Sequence, residues 1–236
     1  MTMFSSQWFG GVAKTAVAYS FTDSEIQAAN ATIFTFSSMA FGAADTSRVV
    51  VVTVSAGFSN VHGTISSATI GGISATIICQ GTNQEGGTSS IDTSTTGIVA
   101  AAVPTGTSGD VVVTLSRSTN SSNRGMGIGV YRLSGPGVVA ANDTATNGIN
   151  SCSALTQTVS VDTEEDGAVI ACSCGSSSYG SETWTGLTEN ARGDAGAAVN
   201  STAGAATTSD ESPRTISVDT NSYCNQSAAC ASWVPA

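Results

Sequence analysis

The strongest constraint on what this 236-residue chain can fold into is the spacing of its apolar residues. They come in short runs rich in Val, Ile and Ala, and turn-forming residues interrupt them roughly every 8–20 residues. Arg48–Val54 (RVVVVTV) is an unbroken β-branched run, the pattern of a strand buried on both faces. Ala31–Phe36 (ATIFTF) alternates, with Ile33 facing opposite to Phe34 and Phe36. Ser67–Ile70 leads into Gly71-Gly72, a hairpin-type turn, and Ile73–Cys79 returns from it. Gly97–Val103, Asp110–Leu115, Gly127–Leu133, Thr156–Val161, Gly167–Cys174, Gly196–Val199, Arg214–Val218 and Ala228–Val234 read as further strands. Between them, Gly81–Thr96, Ser116–Gly125, Asn142–Ser153, Gly175–Thr183 and Ala203–Ser212 read as loops. No window longer than about ten residues keeps a 3.6-residue period, and Glu25–Ala31 offers one helical turn at most. The expected fold is all-β: a β-sandwich or jelly roll of roughly ten short antiparallel strands with an extended N-terminal arm.

Residues 1–18 are that arm. They hold Phe4, Trp8, Phe9, a Gly-Gly break and the only lysine, Lys14. A floppy terminus is one reading. Aromatics exposed so near a terminus are a liability in a free monomer, which favours an arm docked on a neighbouring subunit. Residues 19–236 form the sandwich. Within it, residues 151–236 are the more acidic part: 10 acids and 2 bases give -8, against 7 acids and 5 bases, or -2, for residues 1–150. A T-x-S-V-D-T string occurs at Thr158–Thr163 and again at Thr215–Thr220, 57 residues on. It marks either equivalent strand ends or a coincidence in a Ser/Thr-rich chain.

Composition removes several function classes. A net charge of -10 and a pI near 4.2 oppose nucleic-acid binding, which needs clustered Lys and Arg. A single histidine excludes a multi-histidine metal centre. No run of about 20 apolar residues exists to span a membrane as a helix. Met1–Gly10 lacks the basic start and apolar stretch of a secretory signal, so synthesis in the cytosol without export is expected. The six cysteines, Cys79, Cys152, Cys172, Cys174, Cys224 and Cys230, are too sparse for a disulfide scaffold. They read as thiols, with Cys224–Cys230 the best-placed pair for a bridge formed in an oxidising medium.

The search for chemistry yields little. His62 sits in a loop context (SNVHG) with no G-x-S-x-G elbow to serve, so it reads as a solvated loop residue. Asp162, Glu164, Glu165 and Asp166 are adjacent, the wrong arrangement for two carboxylates that must flank a glycosidic bond. They lack the regular spacing of a calcium loop and read as a charged hairpin turn stopped by Gly167. Cys172 and Cys174 point to one strand face, and small-hydrophobe packing suits them better than zinc. Gly125–Gly129 (GMGIG) lacks the lysine of a phosphate loop and reads as a place of close packing. No catalytic, cofactor-binding or metal residue is assigned.

The succession RVVVVTVSAG, ISSATIGGISATII, IVAAAVPTGTSGDVVVTLSR and GMGIGVYRLSG, over roughly residues 30–135, resembles accessory structural proteins of tailed-bacteriophage virions. Residues 136–236 match in composition only. The resemblance implies a non-enzymatic component of a tail fibre, a baseplate appendage or a capsid decoration. It implies other virion proteins as partners, a homo-oligomer with a trimer as the expected form, residence in the virion after synthesis in the host cytoplasm, no membrane insertion and no cofactor. Phe4, Trp8 and Phe9 then anchor the particle contact, as buried aromatics do at interface hot spots. The alternative is a carbohydrate- or host-surface-binding module, with Tyr179 and Trp184 as stacking aromatics in a loop. A hydrolase centred on His62 is the third reading, with no constellation to support it.

Overall fold

A computed structural model of the chain describes residues 14–59, 63–83, 92–116, 122–135, 139–149, 156–175, 182–195, 198–220 and 225–236. These residues are all-β, with no helix among them. The first half of the chain carries β1 (Ala18–Gln27), β2 (Ile33–Ala40), β3 (Val49–Ser59), β4 (Thr64–Ile70), β5 (Ile73–Ser74), β6 (Thr76–Thr82), β7 (Asp92–Ala102), β8 (Ser108–Ser116) and β9 (Ser122–Ser134). They form an inner sheet, β1-β9-β3-β7-β6, and an outer sheet, β2-β8-β4-β5. The second half carries β10 (Asp143–Ile149), β11 (Thr156–Thr163), β12 (Ala168–Gly175), β13 (Glu182–Thr185), β14 (Thr188–Asp194), β15 (Val199–Ala206), β16 (Glu211–Thr220) and β17 (Gln226–Trp233). Its inner sheet is β10-β17-β12-β15-β14 and its outer sheet β11-β16-β13.

The two orders correspond except that β5 has no counterpart in the second half. In the first half the chain pairs as one long hairpin, β1 with β9, β2 with β8 and β3 with β7, rolled so that β3 also pairs with β9 and β4 with β8. In the second half β10 pairs with β17, β11 with β16 and β12 with β15, and the roll adds β12 to β17 and β13 to β16. Each half is a jelly roll. The two lie inner sheet against inner sheet, so the molecule is four sheets deep.

This stacking explains the strand with no polar face. In β3, Val50, Val52, Val54, Ala56 and Phe58 face the first half's outer sheet, where Phe34, Phe36, Ile65 and Leu115 meet them, and Met126 and Ile128 of the neighbouring β9 join the same core. Val49 and Val51 face the other half and meet Ala168, Ile170, Cys172, Ala229, Ala231 and Trp233. Burying each Val contributes roughly 1.5–3 kcal/mol. A third core, of Val159, Val161, Val169, Ala171, Ile216, Ala228 and Cys230, joins the second half's two sheets. Arg48, just before β3, is only 1% exposed and donates to the carbonyls of Val103 (2.6 Å), Thr105 (2.7 Å), Gly106 (2.8 Å) and Gly42 (2.9 Å). It ties two turns beneath the first core.

Several sequence expectations change. The described residues hold seventeen strands where roughly ten are read from the sequence. Glu25–Gln27 is extended, at the end of β1, not helical. Asp143–Ile149, inside an expected loop, is β10, an edge strand of alternating half-buried and exposed residues. Ala203–Ala206 likewise belongs to β15. The acidic run is not a hairpin turn, because β11 and β12 lie in different sheets; it is the corner between them, with Asp166 at φ 61°. The two T-x-S-V-D-T strings are β11 and β16, paired antiparallel about Val159 opposite Ile216. They are neighbours in one sheet. The repetition that the fold does contain relates the two halves.

Candidate functional site

Two polar regions stand out in an otherwise apolar interior. The first is the seam between the jelly rolls. Thr53 Oγ1 lies 2.9 Å from Thr202 Oγ1, Ser55 Oγ donates to the Ser173 carbonyl (3.0 Å), and Ser227 Oγ meets Ser94 Oγ at 2.9 Å. Tyr131, fully buried, stacks on Tyr19 and meets Phe21 edge-on. Its hydroxyl lies 2.5 Å from Thr202 Oγ1, and both tyrosine hydroxyls donate to Asn190 Oδ1, at 3.1 Å and 3.0 Å. The seam opens to solvent through a shallow cleft lined by β1 (Ser24, Ile26), β3 (Thr53, Ser55), β9 (Gly127–Gly129) and Ala191, Arg192 and Asn200–Thr202 of the second half.

The GMGIG sequence makes this seam possible. Period two sends Met126 and Ile128 into the first core and leaves the glycines facing the second half. A Cβ at Gly129 would stand 2.5 Å from Thr202 Cγ2 and 2.9 Å from Thr53 Oγ1; one at Gly127 would stand 2.8 Å from Asn200 Cβ. The close packing read from these glycines is what they provide.

The second polar region lies between the second half's sheets, at one end. Register puts Gly175 opposite Val199 and Gln226, and Glu182 opposite Thr220, so these strand ends share that end. Five strands turn polar side chains inward there: Gln157, Ser173, Glu182, Thr220 and Gln226, each no more than 5% exposed. Gln226 Nε2 donates to Thr220 Oγ1 (2.6 Å), and Gln157 Nε2 donates to the carbonyls of Asn147 (3.0 Å) and Gln226 (3.3 Å). Ser173 Oγ donates to Glu182 Oε1 (2.8 Å), whereas Glu182 Oε2 and Gln157 Oε1 have no hydrogen-bond partner among the described residues. Burial pushes the Glu182 carboxyl up to about 7; the hydroxyls of Ser201 and Ser173 pull it back in part, and Glu189 raises it slightly more than Arg192 lowers it. Arg192 gives Nη1 to the Glu182 carbonyl (3.3 Å) and sits 3.9 Å from Glu189, not on the Glu182 carboxylate.

Of the residues singled out in the sequence, Trp184 is on β13, not in a loop. It shares the inner face of that strand with Glu182, is half-buried against the third core, and its indole N–H donates to Ser201 Oγ (2.9 Å). Cys172 and Cys174 are buried free thiols on β12, as are Cys79, half-buried, and Cys230 elsewhere. Burial pushes Cys79 and Cys172 up to about 12 and raises Cys174 and Cys230 as well, so these thiols are unreactive packing groups. Phe4, Trp8, Phe9, Tyr179, His62, Cys152 and Cys224, and with Cys224 the Cys224–Cys230 pair, lie outside the described residues. Lys14 is described, and ion-pairs with Glu164 of the acidic corner. Among the described residues no three His, Cys, Asp or Glu side chains gather as metal ligands.

Comparison of the chain with protein-family models, with curated proteins and with solved structures returns no match. The site must therefore be interpreted from its own chemistry. The seam hydroxyls of Thr53, Thr202, Tyr131, Ser94 and Ser227 bond to one another, and Glu182 is too deeply buried to meet a substrate. What Glu182 can do is take up and release a proton.

Proposed function

We propose that the protein is a non-enzymatic structural component of a bacteriophage virion, displaying a double jelly roll on the particle as a tail fibre, baseplate appendage or capsid decoration. The fold alone selects no function, since jelly rolls serve capsid proteins and lectins alike. The supporting observation is the polarity of the molecule. Thr15 and Ala236 exchange backbone hydrogen bonds (2.8 and 3.3 Å), so the two described chain ends lie together. The ends of β3, β12 and β16 at Ser59, Gly175 and Thr220 lie at the opposite pole. A body held at one pole presents the other, as display requires.

The structure sharpens the test of the anchoring arm. Val17 is buried, and its N–H donates to the Asp166 carbonyl, so residues 14–18 belong to the folded body. The truncation that removes Phe4, Trp8 and Phe9 without touching it ends at residue 13. Removing residues 1–13 is expected to leave a soluble, folded protein that no longer co-purifies with particles. Unchanged incorporation overturns the anchoring role.

A further inference from the structure

Glu182 is a carboxyl in the wrong place for a permanent charge. It is 5% exposed, in a sandwich interior, with one oxygen hydrogen-bonded and the other without a hydrogen-bond partner among the described residues. Among the described residues no cation hydrogen-bonds to its carboxylate oxygens. On β12, Ser173 offers a hydroxyl, and Cys174, a neutral thiol, bonds instead toward Asn200 Oδ1 (3.6 Å). On β15, Ser201 accepts the Trp184 indole N–H and keeps its own hydroxyl hydrogen, which draws the Glu182 carboxyl down only in part. On β16, Thr220 stands opposite, and the one nearby acid, Asp219, accepts from Thr156 Oγ1 (2.5 Å) at the surface. On β14, Arg192 gives Nη1 to the Glu182 backbone carbonyl (3.3 Å) and sits 3.9 Å from Glu189, and the push of Glu189 on the Glu182 carboxyl outweighs the pull of Arg192. A lone buried carboxylate without a cation is costly, and the group answers by holding a proton.

We propose that Glu182 is a proton-operated latch that holds β13 against the second half's inner sheet, and that its ionisation loosens that end of the second jelly roll while leaving the first unchanged. The geometry makes the effect local. β13 is a four-residue edge strand whose one hydrogen-bonded neighbour among the described residues is β16. Its inner face consists of Glu182 and Trp184, and both reach the inner sheet through the serine hydroxyls of β12 and β15, Ser173 and Ser201. Charging Glu182 asks that carboxylate to find water, and the short edge strand is the element that yields. The position of the carboxyl's titration, near neutrality, places the transition where it can be operated by ordinary changes in pH.

The test is amide hydrogen exchange on the full chain at pH 5.5 and pH 8.0, corrected for intrinsic exchange rates, with a peptide spanning Glu182–Asp194 compared with one from β3. Protection of the first is expected to fall roughly twentyfold or more between the two conditions, with that of β3 unchanged. In Glu182→Gln the pH dependence is expected to disappear. Protection that is independent of pH in the wild type overturns the latch; so does the same dependence in Glu182→Gln, or an equal loss in β3. Carbon-13 NMR of the Glu182 carboxyl in the wild type decides the matter independently of the variant. A midpoint near 7 supports the latch, and one below 5 overturns it.

Discussion

The first jelly roll closes the Ser59 end of its core with Phe34, Phe58, Ile65, Leu115 and Met126. The corresponding strands of the second roll turn Gln157, Ser173, Glu182, Thr220 and Gln226 into the equivalent space. One strand order therefore carries two interiors. Backbone pairing sets the topology in both; at this end the first roll sets those apolar side chains beside Thr93 and Thr95 of β7, whereas the second fills it with polar ones. The difference teaches that an unbroken core is not required at that end of the second roll. Its polar residues are hydrogen-bonded across strands, and such a network specifies a geometry while contributing less than apolar packing.

Three measurements break or sharpen this contrast. The largest effect is expected in the first roll. Phe58→Ala removes a fully buried ring and should destabilise the protein by about 4 kcal/mol in a denaturant titration. A loss below about 1 kcal/mol would show that this end is as loosely filled as its counterpart. The next is the pH dependence of stability. The carboxyl of Glu182 titrates at about 7 in the folded chain against an ordinary 4.5. Between those values the folded chain keeps a proton that the unfolded chain has released. Its contribution is fully present below 4.5, declines as pH rises, and is lost above about 7. The decline should total about 3 kcal/mol, and Glu182→Leu should abolish it; a curve that is flat across this window in the wild type contradicts the burial argument. The smallest concerns the seam that joins the rolls. Gly129→Ala sets a methyl against Thr202 and Thr53 and should cost about 2 kcal/mol, with the inner sheets forced apart. An unaltered melting temperature would mean that the rolls are not closely docked there.

Much of the fold is legible in the residues. RVVVVTV reads as a strand buried on both faces because nothing polar interrupts it, and the GMGIG glycines read as close packing because no phosphate-loop lysine follows them. The strands that escape detection are edge strands. Asp143–Ile149 (DTATNGI) is half-exposed, so its residues carry no apolar period, and only its pairing with β17 makes it a strand. Thr188–Asp194 (TENARGD) is a second case. The buried role of Arg48 is equally hidden, because its acceptors are carbonyls of turns 6 to 58 residues away. Glu182 gives one local sign, its two-residue spacing from Trp184, and that spacing carries meaning only once Glu182–Thr185 is known to be a strand.

What the sequence determined by itself is the class: short β-branched runs and frequent turn residues leave an all-β sandwich as the structure that buries them, and scarce charge and one histidine narrow the chemistry open to it. What only the tertiary structure decided is the doubling of the jelly roll, the glycine-lined seam, and the isolation of one carboxyl in an interior. These depend on contacts between residues far apart in the chain, such as Thr53 with Thr202 and Ser173 with Glu182, and local side-chain periodicity holds no record of which strand a given face will meet.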